Sequence, residues 1–346
     1  MDLMLNIVSP YIPLIIGVIK AAIIAVLLLS SVPILVWLER RLMGRFQVRL
    51  GPNRVGPLGL GQPLADAIKL LFKESIIQNS ADKFLFVIAP GIVVFTAILT
   101  FAAIPFGEPF RIFDREVGLW VSNLNMGLLF VFAISSMGVY GIVLAGFSSN
   151  NKYSLMGGLR SSAQMISYEL TLGLAALGVI VMSGSLNLKE IVDGQKDLPY
   201  IVTQPLAFIL FYIAGIAETN RAPFDLPEAE QELVAGFHTE YSGMKFAMFF
   251  MGEYINMITM SAMVTVLFLG GWHTYLIPVP SFLFFLGPIL VFVSKVFILL
   301  CVFIWLRSTF PRIRYDRLMS FGWKVMVPLA LLNLLVTSSI KVLMMK

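Results

Sequence analysis

The sequence predicts an all-α polytopic membrane protein with about eight transmembrane helices and an amphipathic helix in the loop after the first. Hydrophobic residues make up 58% of the 346-residue chain and charged residues only 13%, whereas soluble domains carry about 25% charged residues. Apolar runs also recur along the chain, most of them long enough for the roughly 20 residues that a membrane-spanning helix needs. These runs lie at about 11–38, 83–106, 123–147, 162–183, 200–218, 244–270, 281–306 and 323–344.

The first apolar run is interpreted as a helix that stays in the mature protein. It is long, it follows no basic region, and it ends in WLERR instead of the small residues of a cleavage site. The single cysteine, Cys301, lies in the seventh run, so this chain alone builds no disulfide or Cys-based iron–sulfur or zinc site. Nothing divides the chain, and residues 1–346 are expected to form one membrane domain.

Lysine and arginine are unevenly distributed between the two sets of loops. The loops after helices one, three, five and seven, with the helix ends beside them, carry seventeen of these residues, and the other side carries six. By the positive-inside rule the first set faces the cytoplasm. With eight spans, both termini then lie on the non-cytoplasmic side. This bias accounts for the net charge of +5, so nucleic-acid binding is not needed to explain it.

The polar segment 39–82 has two parts. The first is rich in glycine and proline, which predicts an irregular loop. Its GLG pair lacks the third glycine and the preceding strand of a dinucleotide fingerprint, so we reject nucleotide binding there. The second part places Leu64 and Ile68 on one helical face and Asp66 and Lys69 on another. This pattern indicates a helix lying in the membrane interface, with docking to a soluble partner as the alternative.

The polar segment 218–243 begins with ETNRAPFDLPEAEQEL, in which Asp225 and Glu228 fit a capping box. Two further acids, Glu169 and Glu253, lie inside predicted spans, where a carboxylate costs at least about 2.5 kcal/mol and normally marks an ion or proton path. If the loop folds inward, all these acids form one proton-conducting cluster; the alternative is a solvated acidic loop. The cluster comprises Glu169, Glu218, Asp225, Glu228, Glu230, Glu232, Glu240 and Glu253.

Buried positive charge is expected as well. Lys20 and Lys295 fall inside spans, and Lys295 is the better candidate for a counter-charge to the acids, although either lysine could instead bind backbone carbonyls. Glu39 stands beside Arg40 and Arg41 at the end of helix one, which suggests a specific ion pair. An amphipathic helix beside a polar cavity would admit a molecule with a lipid tail and a polar head.

Three stretches resemble a known family. VWLERRLMGRFQVRLGPNRVGPLGLGQPLADAIKLLFKE, ETNRAPFDLPEAEQELVAGFHTEYSGMKFAMFFMGEYINM and WLRSTFPRIRYDRLM are similar to motifs of subunit 1, the bacterial H subunit, of respiratory complex I, the proton-pumping NADH:quinone oxidoreductase. The resemblance covers essentially the whole chain. It departs at ERR, where many members have ERK, and at Phe46, which is often aliphatic in relatives.

The resemblance implies a membrane subunit that docks the peripheral arm, forms the quinone entrance and part of its chamber, and links it through the acids to antiporter-like pumping subunits. Quinone would be the substrate bound here, while FMN and iron–sulfur clusters would belong to partner subunits. The bacterial plasma membrane is the implied location. The residues given a quinone-side role are Glu39, Arg40, Gln47, Arg49, Ala65, Ile68, Phe72 and Arg307.

Two alternative functions stay open. Related subunits anchor membrane-bound hydrogenases, which need bind no quinone; the match of GPNRVGPLGLGQP favours the quinone enzyme. An independent secondary transporter would also use intramembrane acids and lysines. The absence of a visible internal repeat, and the concentration of acids on one side, argue against a transporter.

Overall fold

Eight apolar helices run through the computed structural model, which describes residues 12–112, 115–225, 234–275 and 286–344. Seven are long and apolar enough to span a membrane, and the eighth is shorter. The predicted fold class is therefore confirmed. The eight helices are α1 (Ile12–Phe46), α3 (Lys83–Thr100), α4 (Gly127–Ser148), α5 (Lys152–Ser183), α8 (Pro205–Glu218), α9 (Gly243–Phe268), α10 (Gly287–Thr309) and α12 (Val327–Met344).

Shorter elements connect the long helices. The amphipathic helix predicted after helix one is present as α2 (Gln62–Phe72), and a small antiparallel pair joins β1 (Phe110–Ile112) to β2 (Arg115–Val117). A π-helical turn (Gly322–Met326) leads into the last long helix. The remaining helices are α6 (Leu188–Asp193), α7 (Tyr200–Thr203), α11 (Tyr315–Phe321) and the 3₁₀ turns Pro57–Gly59, Phe101–Ala103 and Gly236–His238.

Three predicted boundaries differ clearly from the structure. Helix α1 continues to Phe46 instead of ending near 38. Helix α5 begins at Lys152 instead of 162, because the Asn151 side chain accepts a hydrogen bond from the Tyr153 amide and caps a start that hydropathy does not mark. The span predicted at 200–218 is broken at Gln204, whose backbone is not helical, and resumes at Pro205. The fourteen residues from Pro205 onward are about 21 Å long, which is shorter than the hydrocarbon core of a bilayer.

The loops after the first, third, fifth and seventh long helices meet at one end of the bundle, here called the basic end. The Asp82 amide donates to the Ser148 carbonyl at 3.0 Å, and Arg312 forms an ion pair with Asp225. At the other end, the Leu128 amide donates to the Leu186 carbonyl at 3.2 Å. The predicted alternation of loops is thus present, while the compartment that each end faces stays a prediction.

Helix α9 lies at the centre, with every residue from Met257 to Phe268 buried. Glycines let α3 pack closely between α9 and α4: a Cβ on Gly252 or Gly141 would come within 2.6 Å or 2.5 Å of the Val93 side chain. Small residues at such contacts are typical of membrane helices. This packing fixes the depth at which the polar residues of α4 and α9 face one another.

Candidate functional site

The Glu39 carboxylate lies at the basic end, only 2% exposed, at a junction of four parts of the chain. It accepts hydrogen bonds from the Tyr254 hydroxyl at 2.5 Å and from Arg221 Nη1 at 3.4 Å. It also forms an ion pair with Arg307. One acid from α1 therefore ties together the loop after α8, the central helix α9 and the end of α10.

The Arg221 guanidinium is the buried counter-charge of this group. It is 5% exposed and lies 4.3 Å from the centre of the Tyr254 ring. Burial alone would lower the pKa of Arg221, but the facing Glu39 carboxylate, with smaller contributions from Tyr254 and Glu253, raises it above its ordinary value. Arg221 therefore stays cationic, and its Nε and Nη2 atoms have no hydrogen-bond partner among the described residues.

Two acids deeper in the bundle lie beside neighbouring serines of α4. Ser136 donates to Glu169 of α5. Ser135 donates to the Phe132 carbonyl at 3.0 Å and lines a cavity with Glu218, the last residue of α8. Glu218 is buried, its Oε2 atom lacks a partner within the described ranges, and the charge of Glu169 acts on it directly. The two carboxyl groups thus belong to one electrostatic unit.

Two small cavities connect Glu218 with the residues around it, each with a volume of about 20 Å³. Ser135 lines the first, Glu253 lines the second, and Glu218 and Asn256 line both. A polar cavity needs only about 10–15 Å³ to hold a water molecule, so each accommodates one. An ion pair, a shared cavity and two electrostatic interactions thus relate five groups in succession, a set here called the buried polar path: Glu39, Arg221, Glu253, Glu218 and Glu169.

The buried polar path reaches the outer surface of the bundle at Glu169. A groove of about 500 Å³ opens there between α4 and α5. Its walls are apolar, including Phe132, Ile166 and Leu170, and Glu169 is the charged residue among those lining it. One terminus of the path is thus at the basic end and the other faces the surroundings of the bundle at membrane depth.

Comparison with known proteins identifies the family. The profile of the NADH dehydrogenase family matches residues 19–338. The chain is 52% identical to the H subunit of NADH-quinone oxidoreductase from Syntrophotalea carbinolica, over 94% of this chain and 96% of that protein. It is 54% identical to the protein of the same name from Protochlamydia amoebophila, over 87% and 90% of the two lengths. The chain belongs to the family of NADH-quinone oxidoreductase H subunits.

Membership of this family confirms the resemblance inferred from the three motifs. The chain is therefore an integral membrane subunit of a multi-subunit oxidoreductase, which favours that interpretation over an independent transporter. The roles of individual residues are not settled by family membership, so the geometry of each candidate residue matters.

Most of the predicted quinone-side residues lie at the outer surface of the basic end. Arg40 forms an ion pair with Asp66 of α2 at 2.5 Å, and Arg49 Nε donates to Gln47 at 2.7 Å. Phe72 is 88% exposed. Ile68 is exposed and Ala65 half-buried on the same helix, while Glu39 and Arg307 meet in the interior.

The ion pair expected for Glu39 exists, but its partners are not its neighbours in sequence. Arg40 contacts Asp66, and Arg41 donates to the Leu58 carbonyl at 2.9 Å. Adjacent residues of a helix point in different directions, about 100° apart. The partners of Glu39 therefore come from elements that only the fold brings near.

The described residues at the start of the acidic segment are buried or half-buried, and its described acids have different partners. Gln164 Nε2 fixes the start of the segment by donating to the Ala217 and Phe224 carbonyls, and Arg312 contacts Asp225 at 3.4 Å. Glu240 accepts hydrogen bonds from the amides of Gln78 and Asn151 and lines neither cavity. The other three acids, and with them the predicted capping box, lie outside the described residues: Glu228, Glu230 and Glu232.

The hypothesis that Lys295 is the counter-charge to the acids was wrong. Its Nζ atom donates to the carbonyls of Leu269, Gly271 and His273 at 2.7, 2.9 and 2.8 Å, at the end opposite Glu39. Lys20 likewise donates to the Gly118 carbonyl at 2.8 Å. The alternative, binding of backbone carbonyls, is the observed arrangement, and Arg221 and Arg307 supply the positive charge next to Glu39.

Sequence reasoning missed several polar residues of the site. Tyr254 binds Glu39, Ser136 binds Glu169, Ser135 lines a cavity with Glu218, and Asn256 lines both cavities. Each is a polar residue within an apolar run, which is the same signal that singled out Glu169 and Glu253. Applied to uncharged side chains, that signal would have found them.

Proposed function

We propose that the protein is the membrane subunit of a proton-translocating NADH:quinone oxidoreductase that receives quinone and docks the peripheral arm at its basic end. The buried polar path then couples the chemistry of the quinone to proton movement in other membrane subunits. The observation that carries this proposal is the continuity of the path from Glu39 to Glu169. We expect a change of charge at one group to alter the protonation of its neighbour along the path.

The proposed quinone entrance lies between the end of α1 and α2. The exposed apolar face of α2, with Ile68 and Phe72, suits an isoprenoid tail, and Arg40 and Arg49 stand where a polar head would pass. Asp66 holds Arg40, so the two helices keep a defined spacing. Further in, Arg307 and Glu39 would meet the head group.

Reduction of a quinone to a quinol consumes two electrons and two protons, so negative charge develops before protons arrive. Burial and nearby like charges both favour the neutral form of a carboxylic acid, and acids that interact strongly titrate as a set. Glu218 therefore suits the storage and transfer of protons, with Arg221 as a fixed positive charge between Glu39 and Glu253. The basic end would face the cytoplasm.

The redox groups are proposed to reside on partner subunits. FMN and iron–sulfur clusters would carry electrons from NADH to the quinone in the peripheral arm, and this chain would supply the cavity for the quinone and the protons. Identifying NADH, FMN and quinone in the purified native complex would separate this proposal from the hydrogenase-anchor alternative, which predicts a hydrogenase cofactor instead.

The test replaces Glu218 or Glu169 with Gln in the assembled complex. Gln keeps the shape and removes the titrating proton, so NADH:quinone reduction and proton pumping are expected to fall on the order of a hundredfold. Electron transfer from NADH to an artificial acceptor at the peripheral arm should be unchanged, because the redox groups are proposed to lie on partner subunits. Full quinone reduction and pumping in both variants would refute the path.

A further inference from the structure

Asn256 is a half-buried amide of α9 that lines both cavities beside Glu218. It lies three residues after Glu253, so the two side chains share one face of the helix. The Asn256 amide has no hydrogen-bond partner among the residues that the structure describes. A side-chain amide carries two donors and an acceptor, and leaving them unused in a membrane helix is costly.

The other uncharged groups around the first cavity are less able to donate a proton. The hydroxyls around it all donate to backbone carbonyls at 2.7 to 3.0 Å: Thr100 to Thr96, Ser135 to Phe132, Thr219 to Ile216 and Thr259 to Ile255. They remain acceptors only. An N–H donor that can orient water toward a carboxylate is therefore supplied in this cavity by Asn256.

Water in the second cavity also needs hydrogen-bond donors and acceptors. It is lined by Glu253, Glu218, Asn220 and Asn256, and the Oδ1 atom of Asn220 is buried without a partner among the described residues. A buried water typically makes two to four hydrogen bonds, and these four side chains supply them. Asn256 thus lines both cavities beside Glu218. Its amide does not titrate and has N–H donors available for water.

We propose that Asn256 is a positioning residue that orients a water molecule in the second cavity, so that a proton passes between Glu218 and Glu253, and another in the first cavity against Glu218. The inference rests on the proposed function of the buried polar path and adds a residue to it. An amide suits this role because it donates and accepts at once without binding the proton itself. Protons then stay on the acids and the water between them.

The decisive variant is Asn256→Leu, which has a similar volume and no hydrogen-bonding group, in the assembled complex. NADH:quinone reduction and pumping are expected to fall roughly tenfold or more, with the artificial-acceptor reaction retained. The solvent isotope effect on quinone reduction in D₂O should rise, because proton transfer becomes limiting, and a purely structural defect would not raise it. Thr265→Val is the matched control, because its buried hydroxyl on α9 bonds to the Ser261 carbonyl and lines neither cavity.

A second pair of variants tests the role of Asn256 even if Asn256→Leu prevents assembly of the complex. Asn256→Gln keeps the side-chain amide and Asn256→Ala removes it, so Gln should retain more quinone reduction than Ala. Equal rates for Gln and Ala would overturn the role of Asn256. Normal rates for Asn256→Leu alongside impaired Glu218→Gln would reject the inference and leave the path intact, and normal rates in both would reject the path as well.

Discussion

Lys295 at one end of the bundle and Glu39 at the other are both charged side chains in apolar surroundings, but their partners differ in kind. Lys295 is held by three backbone carbonyls. Glu39 is held by two arginines and a tyrosine, with further acids close behind. Carbonyls are fixed dipoles that neither titrate nor move, whereas side-chain ions exchange protons and rearrange.

The difference shows that a buried charge does not by itself mark a functional path. Lys295 closes the turn that follows α9, because it donates to three carbonyls that lie beyond the end of the helix. A carboxylate that lies among other ions, next to cavities large enough for water, can gain or lose a proton. The chemistry of the partners, and not the burial of the charge, separates the two ends.

The largest expected effect comes from Arg221→Met, which removes a buried counter-charge from Glu39. Breaking such a pair costs about 3–5 kcal/mol, so quinone reduction should fall on the order of a hundredfold or more, measured against the artificial-acceptor rate. Arg314→Met is the control, because the Arg314–Asp316 pair is exposed and contributes little. Equal behaviour of the two variants would contradict the assignment of Arg221.

Lys295→Met tests the other end of the comparison. Three carbonyls lose a charged donor, which is expected to cost roughly 2–4 kcal/mol of stability and to lower the thermal midpoint of the purified complex. Quinone reduction per assembled complex should stay the same. A loss of turnover at unchanged thermal stability would mean that Lys295 acts in the mechanism, and the distinction between the two ends would fail.

Glu240→Gln separates structural from functional acids within the basic end. The Gln78 and Asn151 amides keep one acceptor oxygen and lose the other, so the expected cost is about 1 kcal/mol. Quinone reduction should remain within about twofold of the native rate, unlike that of Glu218→Gln. If Glu240→Gln lowered quinone reduction as much as Glu218→Gln does, Glu240 would belong to the proton path after all.

The smallest perturbation tests which compartment each end faces. Lys152 and Asp197 are exposed at the basic end and the opposite end. After Cys301→Ser, Lys152→Cys should react with an impermeant thiol reagent only in inside-out vesicles, and Asp197→Cys only in intact cells. A permeant reagent that labels both is the accessibility control. The reversed pattern would invert the proposed orientation.

Local features of the sequence were enough to predict the fold class, the α2 helix and the family. Hydropathy and helical periodicity depend on residues near one another in the chain, so the apolar runs and the two faces of α2 could be read directly. The acids in spans were visible for the same reason. The start of α5 and the break at Gln204 were not, because capping and backbone geometry override hydropathy there.

The sequence by itself determined that charge is buried in this protein, and only the tertiary structure decided which partner each charge has. Arg221 lies 182 positions from Glu39 along the chain and Arg307 lies 268, and no local pattern encodes such separations. Close packing at Gly141 and Gly252 sets the depth of α4 and α9. Polar residues of α4 and α9 therefore lie around two cavities beside Glu218. Contacts between helices place them there, and residues adjacent in sequence do not.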